Sequence, residues 1–167
     1  MSILTILTIP DPRLNLPAIP VTDITAVQPL ISDMLETLYA TRNGIGLAAT
    51  QVGRQEAVIV IDISEDRNEP LVLINPEVIA GDRNAMGEEG CLSVPGYYAE
   101  VERFTTVTIK AQDRHGQPLL LEQDGFLAIV LQHEIDHLKG NLFINYLSPL
   151  KRQMALKKVK KSQANNR

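Results

Sequence analysis

The helix that organises the predicted fold lies in residues 124–138, which have the sequence DGFLAIVLQHEIDHL. Asp124 precedes the helix, and the apolar pattern that follows it predicts a long buried helix over residues 125–138. The pattern H-E-x-x-H falls in its second half, at His133, Glu134 and His137. Side chains four residues apart lie one above the other on a helix, so both imidazoles can reach one metal ion. The stretch therefore predicts a metal centre carried by an apolar helix.

Glu134 is the residue that this pattern assigns to proton transfer. It lies next to His133 without being needed as a ligand, and a carboxylate in that position can take a proton from water. The alternative is a chance match on a solvated turn, because a pattern with three fixed positions also arises by accident. The surrounding helix is strongly apolar, where unpaired polar groups would be costly, so metal binding is favoured.

A catalytic metal ordinarily has three protein ligands, so a third must come from outside this helix. No Asp or Glu follows His137, and Phe143 stands where a histidine would follow Gly140 at the spacing of some metalloproteases. The upstream candidates are Cys91, His115 and the acidic residues. His115 lies in an Arg-His-Gly-Gln turn and is expected to be exposed. Although a free cysteine is usually a small core residue, we favour Cys91 as a thiolate ligand.

The rest of the chain predicts four strands and two further helices. Strands are predicted at residues 57–63, 71–75, 105–112 and 118–122, the last after a turn at 114–117. Helices are predicted at residues 24–41, with Thr22 or Asp23 as N-cap and Pro29 near the first turns, and from Pro149 onward, with Ser148 as N-cap. Strands precede the metal-binding helix instead of alternating with helices. We therefore predict an α+β fold, with antiparallel or mixed sheets around that helix, in a single catalytic domain over residues 1–167.

The charge of the chain is unevenly placed. The net charge is −4, but the last 30 residues contain 8 of the 16 Lys and Arg residues and no acid. The first 137 residues therefore carry 8 basic and 20 acidic side chains, a net of −12. A basic helix and tail over residues 148–167 on an acidic body suggest a polyanionic partner, although a solvated, frayed C-terminus is the more common outcome for a charge run. We expect Leu150, Met154 and either Leu156 or Val159 to pack on the body.

The composition limits the setting in which the protein works. No apolar run approaches the roughly 20 residues of a membrane span, so no membrane partner is expected. The N-terminal residues do not have the pattern of a signal peptide. The single cysteine permits no internal disulfide, which fits a reducing cytoplasm.

A glycine-rich segment, Gly44–Gly53, matches G-x-G-x-x-A, the weak fingerprint of dinucleotide binding. That fingerprint requires a preceding strand, whereas an amphipathic helix precedes this segment, so nucleotide binding is rejected. One alternative is a tight turn in which small residues let backbones approach. The other is an exposed backbone that pairs with an extended peptide, with the side-chain amide of Gln51 near the metal.

Three segments together resemble the peptide deformylase family. They are Gly44–Gln51, Glu89–Ser93 and Gln132–His137, and they match the family motifs Gly-x-Gly-x-Ala-Ala-x-Gln, Glu-Gly-Cys-(Leu)-Ser and Gln-His-Glu-x-Asp-His in order and at similar spacing. Residues 9–14 and the Asn75-Pro76 turn look similar too, so the resemblance covers nearly the whole chain. It implies a metal-dependent hydrolase that removes the formyl group from N-formylmethionyl nascent polypeptides and releases formate.

The resemblance also implies a role for each residue of the three segments. It makes Cys91, His133 and His137 the metal ligands and Glu134 the general acid and base. It makes the side chain of Gln51 and the backbone N–H of Leu92 the donors to the transition-state oxyanion, a role that fits a small formamide with few other groups to bind. It implies substrate contacts at Ile45, Gly46, Glu89 and Gly90.

Phe126, Ile129 and Val130 precede His133 by seven, four and three residues, on the same helix face. They are expected to line a pocket that suits a methionine side chain. The alternative is that they are ordinary core residues, and the two interpretations are compatible. Tyr97 and Tyr98 stand near a position where some family members have an arginine, and no substrate role is assigned to them.

The expected cofactor is one divalent metal ion. Fe²⁺ is expected in the cell, while Zn²⁺, Ni²⁺ or Co²⁺ also suit a Cys-His-His set. The expected partners are N-formylmethionyl peptides and, through the basic C-terminal helix, the ribosome. Two competing hypotheses are an ordinary metallopeptidase, which gives no role to Cys91 or Gln51, and a non-catalytic module that binds RNA through the tail.

Overall fold

The protein, seen here as a computed structural model, is described over residues 2–165. Asn166 and Arg167 of the predicted tail lie outside the described residues. The helices are α1 (Gln28–Ala40), α2 (Gly125–Leu138) and α3 (Pro149–Asn165). The strands are β1 (Gly46–Ala48), β2 (Val58–Ile61), β3 (Leu71–Cys91), β4 (Val94–Gln112) and β5 (Pro118–Asp124). Short 3₁₀ turns occur at Pro12–Asn15, Ala49–Val52 and Phe143–Tyr146. The predicted α+β class, with one helix before and one after α2, the helix predicted to bind metal, is confirmed.

The five strands form one antiparallel sheet in the order β1-β2-β3-β4-β5. Its largest part is the hairpin of β3 and β4, which are 21 and 19 residues long. Shifts of register between Ile74 and Glu77, Val78 and Ala80, and Glu89 and Cys91 mark bulges, which bend a hairpin of this length. The predicted strand 71–75 was too short because residues 79–86 are exposed on both faces, so no alternation of apolar and polar residues marks them. The predicted strand 105–112 was also too short, since β4 begins at Val94; burial does alternate over residues 97–104, but Arg103 lies on the buried face and Phe104 on the exposed face, which hides the pattern in the sequence.

Helices cover both faces of the sheet where β2 runs. Val58 and Val60 belong to the core cluster that contains α1, whereas Ile59 and Ile61 belong to the cluster that contains α2. A strand that is buried on both faces has a continuous apolar sequence, as residues 58–61 do. The two layers of core hold α2 firmly against the sheet.

The helix α2 has the predicted bounds, whereas α1 begins four residues later than predicted. Residues 24–27 form a turn, in which Asp23 Oδ1 accepts a hydrogen bond from the N–H of Ala26 at 3.2 Å. A helix that began at Ile24 would place Pro29 beyond its first turn, where the proline ring meets the carbonyl of Thr25. The proline therefore fixes the start at Gln28.

The C-terminal helix α3 is partly a core element. Its cap is as predicted, since Ser148 Oγ accepts from the N–H of Lys151 at 3.2 Å. Ala155 and Val159 are fully buried against a cluster that includes Val94, Val101 and Phe143. The prediction that Leu150 and Met154 pack on the body was wrong, because their exposed fractions are 67% and 51%. In the described part of the chain, no helix is both long enough and apolar enough to cross a membrane.

Candidate active site

The structure brings Cys91, His133 and His137 together. Their potential ligand atoms all lie within 4.8 Å of one another, and Cys91 Sγ is 3.3 Å from His137 Nε2. Cys91 is the last residue of β3, while the two histidines lie one turn apart on α2. His115, the rejected candidate, is exposed in the turn before β5. One thiol and two imidazoles at this separation fit a tetrahedral ion with one open position.

Glu89 orients the ring of His133. Its Oε1 lies 2.9 Å from His133 Nδ1, so that Nε2 of the ring is left for the cluster. Arg103 donates to both carboxylate oxygens of Glu89, at 2.8 and 2.9 Å. Burial raises the pKa of Glu89, but the hydrogen bonds from Arg103 and His133 outweigh it and hold the pKa below its usual value. An anionic partner behind a ligating histidine fixes its tautomer and strengthens it as a ligand.

The chain of contacts continues from Arg103 to the far side of α2. The guanidinium of Arg103 also donates to Asp136, whose carboxylate accepts from Tyr146 Oη at 2.8 Å. The guanidinium lies 5.1 Å from the centre of the Tyr146 ring. Burial acts to lower the pKa of Arg103, but its two carboxylate partners outweigh this and raise it, so the network is charged.

The carboxyl group of Glu134 is buried beside the cluster, against β1. An added Cβ on Gly46 would lie 2.4 Å from Glu134 Oε2, so only glycine leaves room for this carboxyl. Its other oxygen, Oε1, is buried without a hydrogen-bond partner among the described residues. Burial raises the pKa of Glu134 to about 7. A carboxyl with that pKa can both accept and release a proton near neutral pH.

The two histidines differ in their affinity for protons. For His133, burial favours the neutral ring, but hydrogen bonds to Cys91 and Glu89 outweigh it and raise its pKa. For His137, burial and the charge of His133 lower the pKa. A metal ligand must be a neutral imidazole, so metal binding at this cluster would compete with the proton on His133.

The side chain of Gln51 points its amide nitrogen at the cluster. Gln51 Oε1 accepts from the N–H of Ala48 at 2.9 Å, which fixes the orientation of the amide. Its Nε2 then lies 3.0 Å from Ser93 Oγ and 3.4 Å from Cys91 Sγ. Leu92 lies next to Cys91, in the two-residue turn between β3 and β4.

A cavity of about 530 Å³ opens beside the cluster. It is lined by every residue assigned above to substrate binding: Ile45, Gly46, Glu89, Gly90, Phe126, Ile129 and Val130. Gln51, Cys91, Leu92, His133 and Glu134 also line it. Glu89 faces the cavity only in part, because both its oxygens bind Arg103 and His133. The cavity thus combines an apolar wall on α2 with the backbone of Ile45 and Gly46 at β1 and of Gly90 near the end of β3.

A larger groove of about 690 Å³ lies on the other side of α2. Arg103, Gln132, Asp136 and Tyr146 line it, but none of the clustered residues Cys91, His133 or His137 does. The smaller cavity is therefore the candidate active site.

Sequence reasoning missed Arg103 and Tyr146. Asp136, a charged residue in an apolar helix, was the one available signal that a buried cation lies nearby. Arg103 itself carries no such signal, because its two partners are 14 and 33 residues away in the chain.

Comparisons with known proteins agree along almost the whole chain. The sequence model of the family described as polypeptide deformylase matches residues 3–153. The chain is 68% identical over 161 residues to peptide deformylase 2 of Vibrio parahaemolyticus, covering 96% of each chain. It is 65% identical over 165 residues to peptide deformylase 2 of Vibrio cholerae, covering 99% of this chain and 98% of the other.

Solved structures give the same result. The crystal structure of a peptide deformylase from Legionella pneumophila is 47% identical, with a TM-score of 0.94, over 98% of this chain and 97% of the other. The peptide deformylase from Ehrlichia chaffeensis in complex with actinonin is 39% identical, with a TM-score of 0.91, over 97% and 98% of the two chains. Sequence and fold thus agree, and the chain belongs to the polypeptide deformylase family.

Proposed function

We propose a role for each residue of the cavity in the reaction of this family, the removal of the formyl group from nascent peptides. One observation carries the proposal: Cys91, His133 and His137 converge within 4.8 Å beside a buried Glu134. The thiol and the two imidazoles would hold one divalent ion, with Fe²⁺ proposed for the cell and Zn²⁺, Ni²⁺ or Co²⁺ able to replace it. Such an ion would supply Lewis-acid chemistry at the formyl group.

Glu134 moves the proton in this proposal. Its carboxylate takes a proton from the water that attacks the formyl carbon. The same carboxyl then gives the proton to the amine nitrogen as the C–N bond breaks, so that formate and a free N-terminus leave. Its position against Gly46, in the cavity that His133 and Cys91 also line, supports this role.

Gln51 and Leu92 stabilise the oxygen of the formyl group. Negative charge develops on this oxygen only in the transition state, so donors that are already in place cost no reorganisation. Gln51 fits this role because Ala48 holds its oxygen and leaves Nε2 directed at the cluster. The backbone N–H of Leu92 is the second proposed donor.

The remaining cavity residues bind the rest of the substrate. An extended peptide would lie between Ile45-Gly46 and Gly90, which line the cavity and whose backbone would hydrogen-bond to it. Phe126, Ile129 and Val130 form the apolar wall for the methionine side chain. For Glu89 we propose orientation of His133 in addition to the expected contact with substrate.

We also propose that α3 docks the protein on the ribosome in the cytoplasm. Lys151, Lys157, Lys158, Lys160 and Lys161 are all exposed on it. Leu150 and Met154 are exposed on the same helix, so their apolar side chains are available to contact a protein or RNA surface.

The test compares formate release by the Fe²⁺-loaded protein and its Glu134→Gln variant, purified anaerobically, on a formyl-Met tripeptide. We expect the variant to keep its metal and to lose activity by roughly 10²–10⁴-fold, because it cannot accept a proton. Near-normal turnover in the variant would mean that another group carries the proton. An internal peptide bond is offered in parallel, and its cleavage at a comparable rate would favour a general metallopeptidase.

A further inference from the structure

Arg67 binds the segment that forms one wall of the cavity. Its Nη1 donates to the carbonyl oxygens of Thr41 and Arg42, at 2.9 and 3.3 Å. Its Nη2 donates to the carbonyl oxygens of Leu38 and Gly44, at 2.9 and 3.2 Å. One guanidinium thus binds four backbone carbonyls between the end of α1 and the start of β1.

Electrostatics favours a cation in this place. The C-terminus of a helix carries partial negative charge on its unpaired carbonyls, and a basic side chain in the last turn usually compensates it. The last turn of α1 contains no basic residue. Arg67, 27 residues after the end of the helix, supplies the missing charge, and its guanidinium also lies 5.5 Å from the centre of the Tyr39 ring.

The loop that carries Arg67 is itself anchored by Asp62, whose exposed fraction is 3%. Asp62 accepts from the backbone N–H groups of Ser64 and Glu69, at 2.9 and 3.0 Å, and from Tyr39 Oη at 2.6 Å. Its own backbone N–H donates to the carbonyl of Ile45 at 2.8 Å. The loop is therefore fixed at both ends to the elements that Arg67 joins.

The segment that Arg67 holds faces the cavity. Thr41, Arg42, Gly44, Ile45 and Gly46 all line it. Gly44 and Gly46 give this segment conformational freedom, which the hydrogen bonds of Arg67 reduce. Without Arg67, three of the four carbonyls it binds would lose their only side-chain donor in the described residues; the carbonyl of Leu38 would keep Thr41 Oγ1.

We propose that Arg67 is a positioning residue for substrate binding, which holds the backbone of Ile45 and Gly46 in the geometry that pairs with the peptide. The inference rests on the proposed function, since it takes this backbone as the peptide's binding partner. A longer peptide covers more of the edge of β1 than a single residue does. Loss of Arg67 should therefore weaken binding of a tripeptide more than that of one amino acid.

The experiment measures kcat and KM for the metal-loaded wild-type protein, Arg67→Met and Arg114→Met. Arg114 is a matched control, because it binds Gln28 and Ser32 in the first half of α1, away from the cavity. The two substrates are N-formylmethionine amide and formyl-Met-Ala-Ser. We expect Arg67→Met to raise KM for the tripeptide about tenfold or more, with little change in kcat and a smaller effect on the amide. Arg114→Met should match the wild type.

Hydrogen exchange of residues 41–48 in the same proteins gives a second readout. Exchange should be faster in Arg67→Met, and Arg67→Lys should lie between it and the wild type, because an ammonium keeps the charge without the planar donors. If Arg67→Met does not fold, the kinetic constants and the hydrogen exchange are both measured on Arg67→Lys instead.

An unchanged KM for the tripeptide, an equal rise for both substrates, or the same effect in Arg114→Met would overturn the proposal. If the wild-type protein releases no formate, the proposed function fails, and the exchange data still decide whether Arg67 holds the segment.

Discussion

At the scale of single residues, the site depends on pairs of groups in which one partner fixes the other. Glu89 fixes the ring of His133, and Ala48 fixes the amide of Gln51. Each of these side chains is thereby held in one orientation in the structure. In the proposed mechanism, such preorganised groups stabilise a charged transition state at little further cost.

Cys91 offers the most direct test of the ligand set. Cys91→Ala should lose most of its bound metal, because two imidazoles alone hold a divalent ion weakly. Metal content per chain is measured after anaerobic purification, with circular dichroism to check the fold. Ser93→Ala is the matched control, since Ser93 also contacts Gln51 near the cluster but is not a proposed ligand. Full metal occupancy in Cys91→Ala would refute the ligand assignment.

The cluster of Cys91, His133 and His137 could be predicted from the sequence, but the residues that support it could not. His133 and His137 are a local pattern on one helix, so spacing alone brings them together. Arg103 and Arg67 act across long stretches of chain, at distances that only the folded backbone creates. No periodicity or cap signal marks either residue. Prediction therefore reached the residues proposed to act on the substrate and missed the charged side chains that hold them in place.

At the scale of elements, helices were predicted better than strands, because helix bounds depend on local signals and strand pairing depends on distant residues. The bounds of α2 followed from an apolar run, and the start of α3 followed from Ser148-Pro149, because both signals are local. The length of the β3–β4 hairpin could not be predicted from local signals, because the exposed residues of one strand pair only with those of the other. β1 was missed because it has only three residues, two of them Gly and Ala.

The contact between β1 and α2 predicts the effect of Gly46→Ala. The added methyl group would meet the Glu134 carboxyl at 2.4 Å, so the carboxyl or the strand must shift. We expect kcat/KM to fall by about 10²-fold or more, because a displacement of about 1 Å at the reacting groups costs that much. Gly87→Ala is the control, since an added Cβ there meets nothing within 4 Å. Equal kinetics in the two variants would show that Glu134 tolerates displacement.

The helix α3 stabilises the body through one face only. Val159 is fully buried, whereas Met154 is half exposed, so the two truncations Val159→Ala and Met154→Ala should differ. We expect the first to lower the free energy of unfolding by about 1–3 kcal/mol and the second to stay within about 0.5 kcal/mol. Urea unfolding of both variants measures the difference, and similar values would mean that α3 does not pack as described.

At the scale of the whole molecule, an acidic body carries a basic helix. The last 30 residues hold half of the 16 basic side chains of the chain, and the lysines of α3 are exposed. Because the buried face of α3 belongs to the core, deleting the helix would confuse loss of stability with loss of docking. A test of docking must therefore change the charges and leave the helix in place.

The triple variant Lys157→Gln, Lys160→Gln and Lys161→Gln serves this purpose. If α3 docks on ribosomal RNA, each lysine that contacts a phosphate releases counterions, so binding falls steeply with salt. The variant should co-sediment with ribosomes less than the wild type at low salt, and the slope of log affinity against log salt should decrease by about one for each lost contact. Formate release from a short formyl-Met peptide should not change, because none of the three lysines lines the cavity. Equal co-sedimentation and an equal salt slope would refute docking through α3 and leave the catalytic assignment as it stands.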